Sequence, residues 1–250
     1  MTPTTPLDPA SADLPRFDGR LIVLTGVARR GQVGEAVART LGHRGATVAL
    51  LGRNADDVLA RASELQSEGI AASGWACDLA DHDALGRIVM QLSERFPLGA
   101  SGLVCLAGGF GALGPVGESD HAQWDHQIAI NLTTAYATTR AFLPALRLAR
   151  GSIVYFASAA VVPGGSLSGV AAYGAAKAGV VALMRAVAAE ERKHGVRANA
   201  LAPTAIRTDT NVAAMGAAAT FVERDTVAEW VSFLCAPASG PVSGQLIQLG

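Results

Sequence analysis

Short aliphatic runs alternate with longer alanine-rich stretches along most of the chain: LIVLTG, ATVALLG, GWACDL, GLVCLAG and GSIVYFAS are separated by segments of helical spacing. This alternation specifies βαβ units, and strands that read as nearly continuous apolar runs are those covered on both faces. The expected fold class is therefore α/β, a doubly wound parallel sheet with helices on both faces. In the first helical segment Val33, Val37 and Leu41 form a stripe suited to packing on such a sheet, with Arg39 and His43 turned to water. A chain of 250 residues can make one large α/β domain or two small ones. The alternation runs through nearly all of it, so one domain is expected over residues 19–250. A flexible extension, residues 1–18, precedes it, with four prolines and no apolar core of a signal peptide.

Composition narrows the partners. A formal net charge of −1 with only 16% charged residues provides no footprint for nucleic acid or an anionic membrane, so a small-molecule ligand is expected. Cys77, Cys105 and Cys235 lie far apart in apolar stretches, with no C-x-x-C and no histidine at metal spacing. They read as reduced core thiols of a cytoplasmic protein with no metal site. No apolar run reads as long and uninterrupted enough to span a bilayer.

Chemistry concentrates at four places. TGVARRGQVG, Thr25 to Gly34, lies where the first strand passes into the first helix, a position where helix amides bind phosphate. Its glycines, Gly26, Gly31 and Gly34, are spaced G-x4-G-x2-G, which matches no standard fingerprint. Tyr173 and Lys177 are four apart on a long helical segment and share a face, where an ammonium would lower a phenol's pKa. Ser158 ends the strand GSIVYFAS at the sheet edge where ligands bind in open α/β folds. Asn131 falls in a helix interior, which its propensity does not favour.

Taken in order, the glycine turn, CDLAD, LAGGFGALGP, the Asn131 helix, GSIVYFAS, AAYGAAKAG and RANALAPTAIRT resemble the short-chain dehydrogenase/reductase family from Phe17 onward. The resemblance implies a single-domain Rossmann fold and a catalytic tetrad. Tyr173 would exchange the proton of the substrate oxygen, and Lys177 would bind the nicotinamide ribose and depress the tyrosine pKa. Ser158 would polarise the carbonyl, with Ser166 and Ser168 as competitors in the following loop, and Asn131 would hold a relay water. For the dinucleotide it implies Gly26 and Gly34 as the ends of the cradle, with Gly31 not assignable to the middle role by count. Asp78 and Leu79 would lie at the adenine, Ala107 and Gly108 after the fourth strand, and Pro203, Ile206 and Thr208 near the nicotinamide amide. At the end of the second strand Gly52 is followed by Arg53 rather than an acid, which favours NADP(H) over NAD(H). Arg30, directly before Gly31, is either a second 2′-phosphate contact or a solvated surface residue.

The chain departs from the family pattern in particular places. The glycine turn is about two residues longer, Cys105 and Leu106 replace two asparagines, Thr204 replaces a glycine, and DTNVAAMGAAATFVER is a short substrate lid. The resemblance implies a reductase or dehydrogenase of a ketone or secondary alcohol, including a 3-oxoacyl thioester among its candidate substrates, with Phe110 a candidate pocket residue. The departures leave open a weakly catalytic dinucleotide sensor or scaffold. A homo-oligomer, tetramer or dimer, is expected through the helices carrying Asn131 and Tyr173.

Overall fold

The computed structural model describes residues 15–27 and 29–250. Seven strands form one sheet: β1 (Leu21–Thr25), β2 (Thr47–Gly52), β3 (Ala72–Ala76), β4 (Ala100–Cys105), β5 (Ser152–Phe156), β6 (Arg197–Pro203) and β7 (Leu246–Leu249). Every pairing is parallel, in the order β3-β2-β1-β4-β5-β6-β7. The connecting helices are α1 (Val33–His43), α2 (Ala55–Ser67), α3 (His82–Arg95), α4 (His121–Ile128), α5 (Thr134–Ala149), α6 (Ala171–Glu190), α7 (Asp209–Met215) and α8 (Arg224–Cys235).

Two apolar clusters, one per face, make this doubly wound. Alternate residues of β1 face opposite ways. Leu21 and Val23 pack with Leu85 and Leu92 of α3, Phe142 and Leu146 of α5, and Val180 and Met184 of α6. Ile22 and Leu24 pack with Val37 and Leu41 of α1, Val58 and Leu65 of α2, and Val227 and Val231 of α8. The expected stripe on α1 is thus present, although Val33 itself is only partly buried. All three cysteines are buried free thiols, and burial raises Cys105 and Cys235 to about 12 and Cys77 to about 11.

Two sequence expectations need amendment. Phe17 is 1% exposed, its amide donates to the Arg44 carbonyl, and it packs among the α1-side residues. Packing therefore begins ahead of Gly19, while residues 1–14 of the expected extension lie outside the described residues. Helix α6, at 20 residues and a mean hydropathy of 1.2, has the length and apolarity to cross a bilayer. Its apolarity is accounted for by the sheet: Val180, Met184 and Val187 are buried against it, as is Lys177.

The strand order reverses at β1 and β4, and such a reversal opens a crevice at the carboxyl ends of the strands. One hydroxyl ties this junction together. Thr25 Oγ1 donates to the Val104 carbonyl at 3.4 Å and accepts from the Ala107 amide at 3.2 Å, joining β1 to the chain leaving β4. The positions where the family carries asparagines are filled apolarly: Cys105 is buried with its sulfur 3.8 Å from Thr138 Oγ1, and Leu106 packs on the α1 side. Thr25→Val keeps the shape and strands the Ala107 amide. Loss of stability by about 1–3 kcal/mol is expected in urea denaturation.

Candidate active site

The glycine turn leaves β1 at Gly26, whose φ is +74°. A Cβ there would stand 2.7 Å from the Ala107 backbone, so only glycine permits the two chains to pass. The turn ends at Gly34 in the first turn of α1, where a Cβ would press on Val27 at 3.0 Å. Helix α1 has no side-chain cap at Gln32, which leaves first-turn amides for an anion. These features fit a dinucleotide pyrophosphate.

Gly31 takes a part that spacing did not reveal. Its carbonyl accepts from the Asp209 amide at 3.2 Å, its amide donates to Glu35 Oε2 at 2.7 Å, and the Asp209 carboxylate occupies the place a Cβ would take. Gln32 Nε2 donates to Thr210 Oγ1 at 3.1 Å. The lengthened turn thus clasps α7, the short helix of the lid. Nothing local in the sequence announces contacts between residues 178 apart.

Arg30 does not turn toward the end of β2. Its Nε donates to Glu64 Oε1 at 3.0 Å, far along α2, in a network that also holds Arg61 and Glu35. Here Arg30 is a largely exposed residue held in an ion pair across the α1–α2 flank. Arg53 is exposed directly after β2, with no ion-pair partner among the described residues. Asp78 folds back to accept from the Ala80 amide at 2.9 Å, and Leu79 is buried under α3. Pro203 ends β6, Ile206 is buried and bridges to Val222, and Thr208 caps α7 by accepting from the Asn211 amide.

On the other side of the crevice the proposed tetrad converges. Tyr173 and Lys177 lie one turn apart on α6, with the Lys177 nitrogen 5.7 Å from the tyrosine ring centroid. The buried ammonium donates to the Phe156 carbonyl at 2.9 Å. This is the single hydrogen bond it makes within the described residues, so two protons remain for hydroxyls such as those of a ribose. Ser158 lies two residues beyond β5, accepts from the Ala160 amide at 3.2 Å, and its hydroxyl lies near Tyr173. Ser166 and Ser168 are exposed in the following loop. Phe110 meets the Tyr173 ring edge-on at 5.2 Å with its own ring largely open.

Asn131 is not in an α-helical interior. It sits in a π-helical turn, Ala129–Thr133, between α4 and α5. Its Oδ1 accepts from the Gly109 amide at 3.1 Å, while Nδ2 donates to the carbonyl of Gly109 and to Gln127. The amide nitrogen has no proton to spare for a water, so the side chain fastens the loop after β4. A Cβ on Gly108 would point at Asn131 and stand 3.5 Å from Lys177 Nζ, so this glycine keeps the approach to the ammonium open. Gln127, a buried residue that sequence spacing did not single out, completes this support.

The expected lowering of the Tyr173 pKa is corrected. Burial raises the phenol above its ordinary value, opposed by the nearby Ser158 hydroxyl. Burial also pushes the Lys177 ammonium down to about 8. An unfolded lysine keeps its proton to higher pH, so burying the charged form opposes folding below pH 8, and this penalty fades as pH rises toward the ordinary value near 10.5. Lys177→Met is expected to stabilise the fold at pH 7 by up to about 3 kcal/mol, less roughly 1 kcal/mol for the carbonyl that loses its donor. Urea titrations at pH 7 and pH 10 should show the gain shrinking at the higher pH.

Comparison with known proteins agrees with this geometry. The family model described as short chain dehydrogenase matches residues 20–217. D-threitol dehydrogenase of Mycolicibacterium smegmatis is 32% identical over 195 residues, covering 78% of this chain and 73% of that protein. Among solved structures, 3-oxoacyl-[acyl-carrier protein] reductase from Brucella melitensis superposes with a TM-score of 0.83 at 28% identity, over 99% of this chain and 96% of that one. Gluconate 5-dehydrogenase from Burkholderia cenocepacia, in complex with NADP and tartrate, gives 0.85 at 25% identity over 94% of each chain. With its seven-stranded parallel sheet and its match to the family over most of its length, the chain belongs to the short-chain dehydrogenase/reductase family of oxidoreductases, which act on alcohol and carbonyl groups.

Proposed function

We propose that this chain is an NADP(H)-dependent enzyme that interconverts a ketone and a secondary alcohol at the crevice between Tyr173 and Phe110. The observation that carries this reading is the convergence of Ser158, Tyr173 and a buried Lys177 with two unused ammonium protons at the carboxyl edge of the sheet. The nicotinamide supplies the hydride, or accepts it in the reverse direction. The rest is done by the chain. Ser158 Oγ, beside Tyr173, donates to the substrate oxygen and orients it. The Tyr173 hydroxyl delivers or removes the oxygen's proton, and Lys177 holds the ribose hydroxyls through its free protons.

A buried phenol whose pKa is raised stays protonated at neutral pH and is ready to donate to a carbonyl oxygen. The same burial makes it a poor base until a nearby positive charge stabilises the phenolate. The carbonyl substrate meets the exposed face of Phe110, which suits an apolar flank such as that of an acyl chain. A 3-oxoacyl thioester is the acyl substrate we favour. Intact Ser158, Tyr173 and Lys177 argue for turnover over a sensor or scaffold.

Cofactor choice rests on Arg53 alone, since Arg30 is engaged with Glu64. Arg53 projects from the end of β2 with no carboxylate on it, and a guanidinium there attracts a 2′-phosphate while offering a ribose diol little. Helices α4 and α5 expose Trp124 and Tyr136, and we propose that these faces pair in a homo-oligomer.

Two measurements test this reading. Tyr173→Phe should retain NADPH binding and lose about 10²–10⁴-fold in kcat on ketones, the range for general acid–base catalysis; unchanged turnover would overturn the mechanism. Arg53→Asp should weaken NADPH by about tenfold or more relative to NADH, the effect of losing one charge-assisted hydrogen bond. A wild type that prefers NADH overturns the cofactor assignment.

A further inference from the structure

At the edge opposite the crevice, where the strands begin, a cavity of about 570 Å³ opens among Arg20, Arg150, Arg192 and Arg197, with Ser101 and Ser243. Arg20 precedes β1 and Arg197 begins β6, while Arg150 and Arg192 follow the last turns of α5 and α6. No aspartate or glutamate lines the cavity, and none of the four arginines has a carboxylate partner among the described residues. The neighbouring acid, Glu191, is buried and bonded twice to Arg147, at 2.7 Å each.

Arginines near helix C-termini answer the helix dipole, so the first question is whether the dipoles use up this charge. Three helices end beside this cavity, α5, α6 and α8, and each contributes about half a negative charge. Together they supply about one and a half negative charges against four guanidiniums, leaving more than two positive charges unanswered. Arg197 is the one largely explained, since it donates to the carbonyls of Leu234 and Ala236 at the end of α8 and to Ser239.

Arg150 is not explained that way. Its amide donates to the Arg147 carbonyl and the Gly151 amide donates to the Leu146 carbonyl, closing α5 with the left-handed residue that is ordinarily glycine. Arg150 occupies that position with φ at +51°, the one non-glycine among the described residues in the left-handed region. Opposite it, a Cβ on Gly195 would stand 2.7 Å from Arg150 Nε. An arginine thus occupies a glycine position, and a glycine makes room for its guanidinium.

We propose that this cavity is a binding site for a small polyanion bearing two or more linked phosphates, distinct from the dinucleotide crevice. The guanidiniums of Arg150, Arg192 and Arg20 present planar donors suited to bidentate phosphate contacts, with the Ser101 and Ser243 hydroxyls at the wall. Free pyrophosphate and the phosphate tail of a nucleotide or of coenzyme A share this chemistry.

Isothermal titration calorimetry with pyrophosphate, ATP and coenzyme A, each on the full chain at 0.15 M salt, tests it. With the dinucleotide crevice filled by saturating NADPH, one saturable site is expected for at least one of these anions. Arg53→Gln should leave it intact, while Arg150→Gln with Arg192→Gln should weaken it by about tenfold or more, the effect of losing charge-assisted contacts. Tighter pyrophosphate binding assigns the free anion; tighter ATP or coenzyme A binding assigns a phosphate tail. As a control for folding, Arg150→Gly relieves the left-handed arginine and should melt at or above the wild-type temperature while binding more weakly. No saturable binding by any of the three anions, equal affinity in the double variant, or loss of binding in Arg53→Gln overturns the proposal. Because NADPH binding and ketone turnover are read separately, failure here leaves the active-site reading standing, and failure there leaves this one.

Discussion

The backbones leaving β1 and β4 pass so closely that a methyl group on Gly26 would lie 2.7 Å from Ala107, and the arrangement of the site follows from that approach. Parallel strands direct all their carboxyl ends to one edge, and at this junction the chain turns to opposite faces of the sheet. Helix α1 therefore begins on one side of the crevice, while α6 brings Tyr173 and Lys177 to the other. The Thr25 hydroxyl, shared between Val104 and Ala107, performs the joining that a side-chain amide would otherwise provide. That explains how the junction accommodates Cys105 and Leu106, which are simply packed into the two opposite cores.

Features governed by local periodicity were legible in the chain. The alternation of apolar runs and helical stripes foretold a doubly wound sheet, the interval between Tyr173 and Lys177 foretold a shared helix face, and the end of GSIVYFAS foretold a hydroxyl at the strand edge. Features set by competition between distant residues were not. For Arg30, beside a glycine, the sequence leaves a phosphate contact and a surface residue both open, and it does not show that Glu64 reaches it from another helix. Gly31 has no role by count because its partner is Asp209, on the lid. The π-helical turn at Asn131 is equally hidden: an asparagine out of place in a helix signals an irregularity without saying which. For Tyr173 the sign of the effect was the issue, since spacing identifies the charge nearby but not the burial that raises the phenol.

Lys177 illustrates how function opposes stability within this fold. A buried ammonium with one carbonyl partner is an unfavourable group to carry through folding, and its pKa of about 8 expresses that strain as a looser hold on the proton. The surrounding contacts hold it there nonetheless. Gly108 leaves space in front of the nitrogen, Asn131 fastens the adjoining loop through Gly109, and α6 is packed along the sheet over much of its length. A methionine would suit the core better but could hold no hydroxyl. On the proposed reading, the lysine is intelligible as a group whose two free protons serve a ligand rather than the protein.

The two edges of the sheet differ in a way that the parallel topology itself dictates. The carboxyl edge gathers helix N-termini and their unpaired amides, so it attracts anions with little help from side chains, and Arg53 stands exposed there. The opposite edge gathers helix C-termini and should repel anions. For that edge to be cationic, side chains must more than reverse the backbone's polarity, and four guanidiniums do so. One of them, Arg197, satisfies carbonyls and would be expected in any such fold. Arg150 satisfies none within the described residues and occupies a backbone conformation that glycine would adopt more easily. A residue that is both strained and unpartnered is not explained by the packing around it, and its charge is what distinguishes it from the glycine that would serve the helix end better.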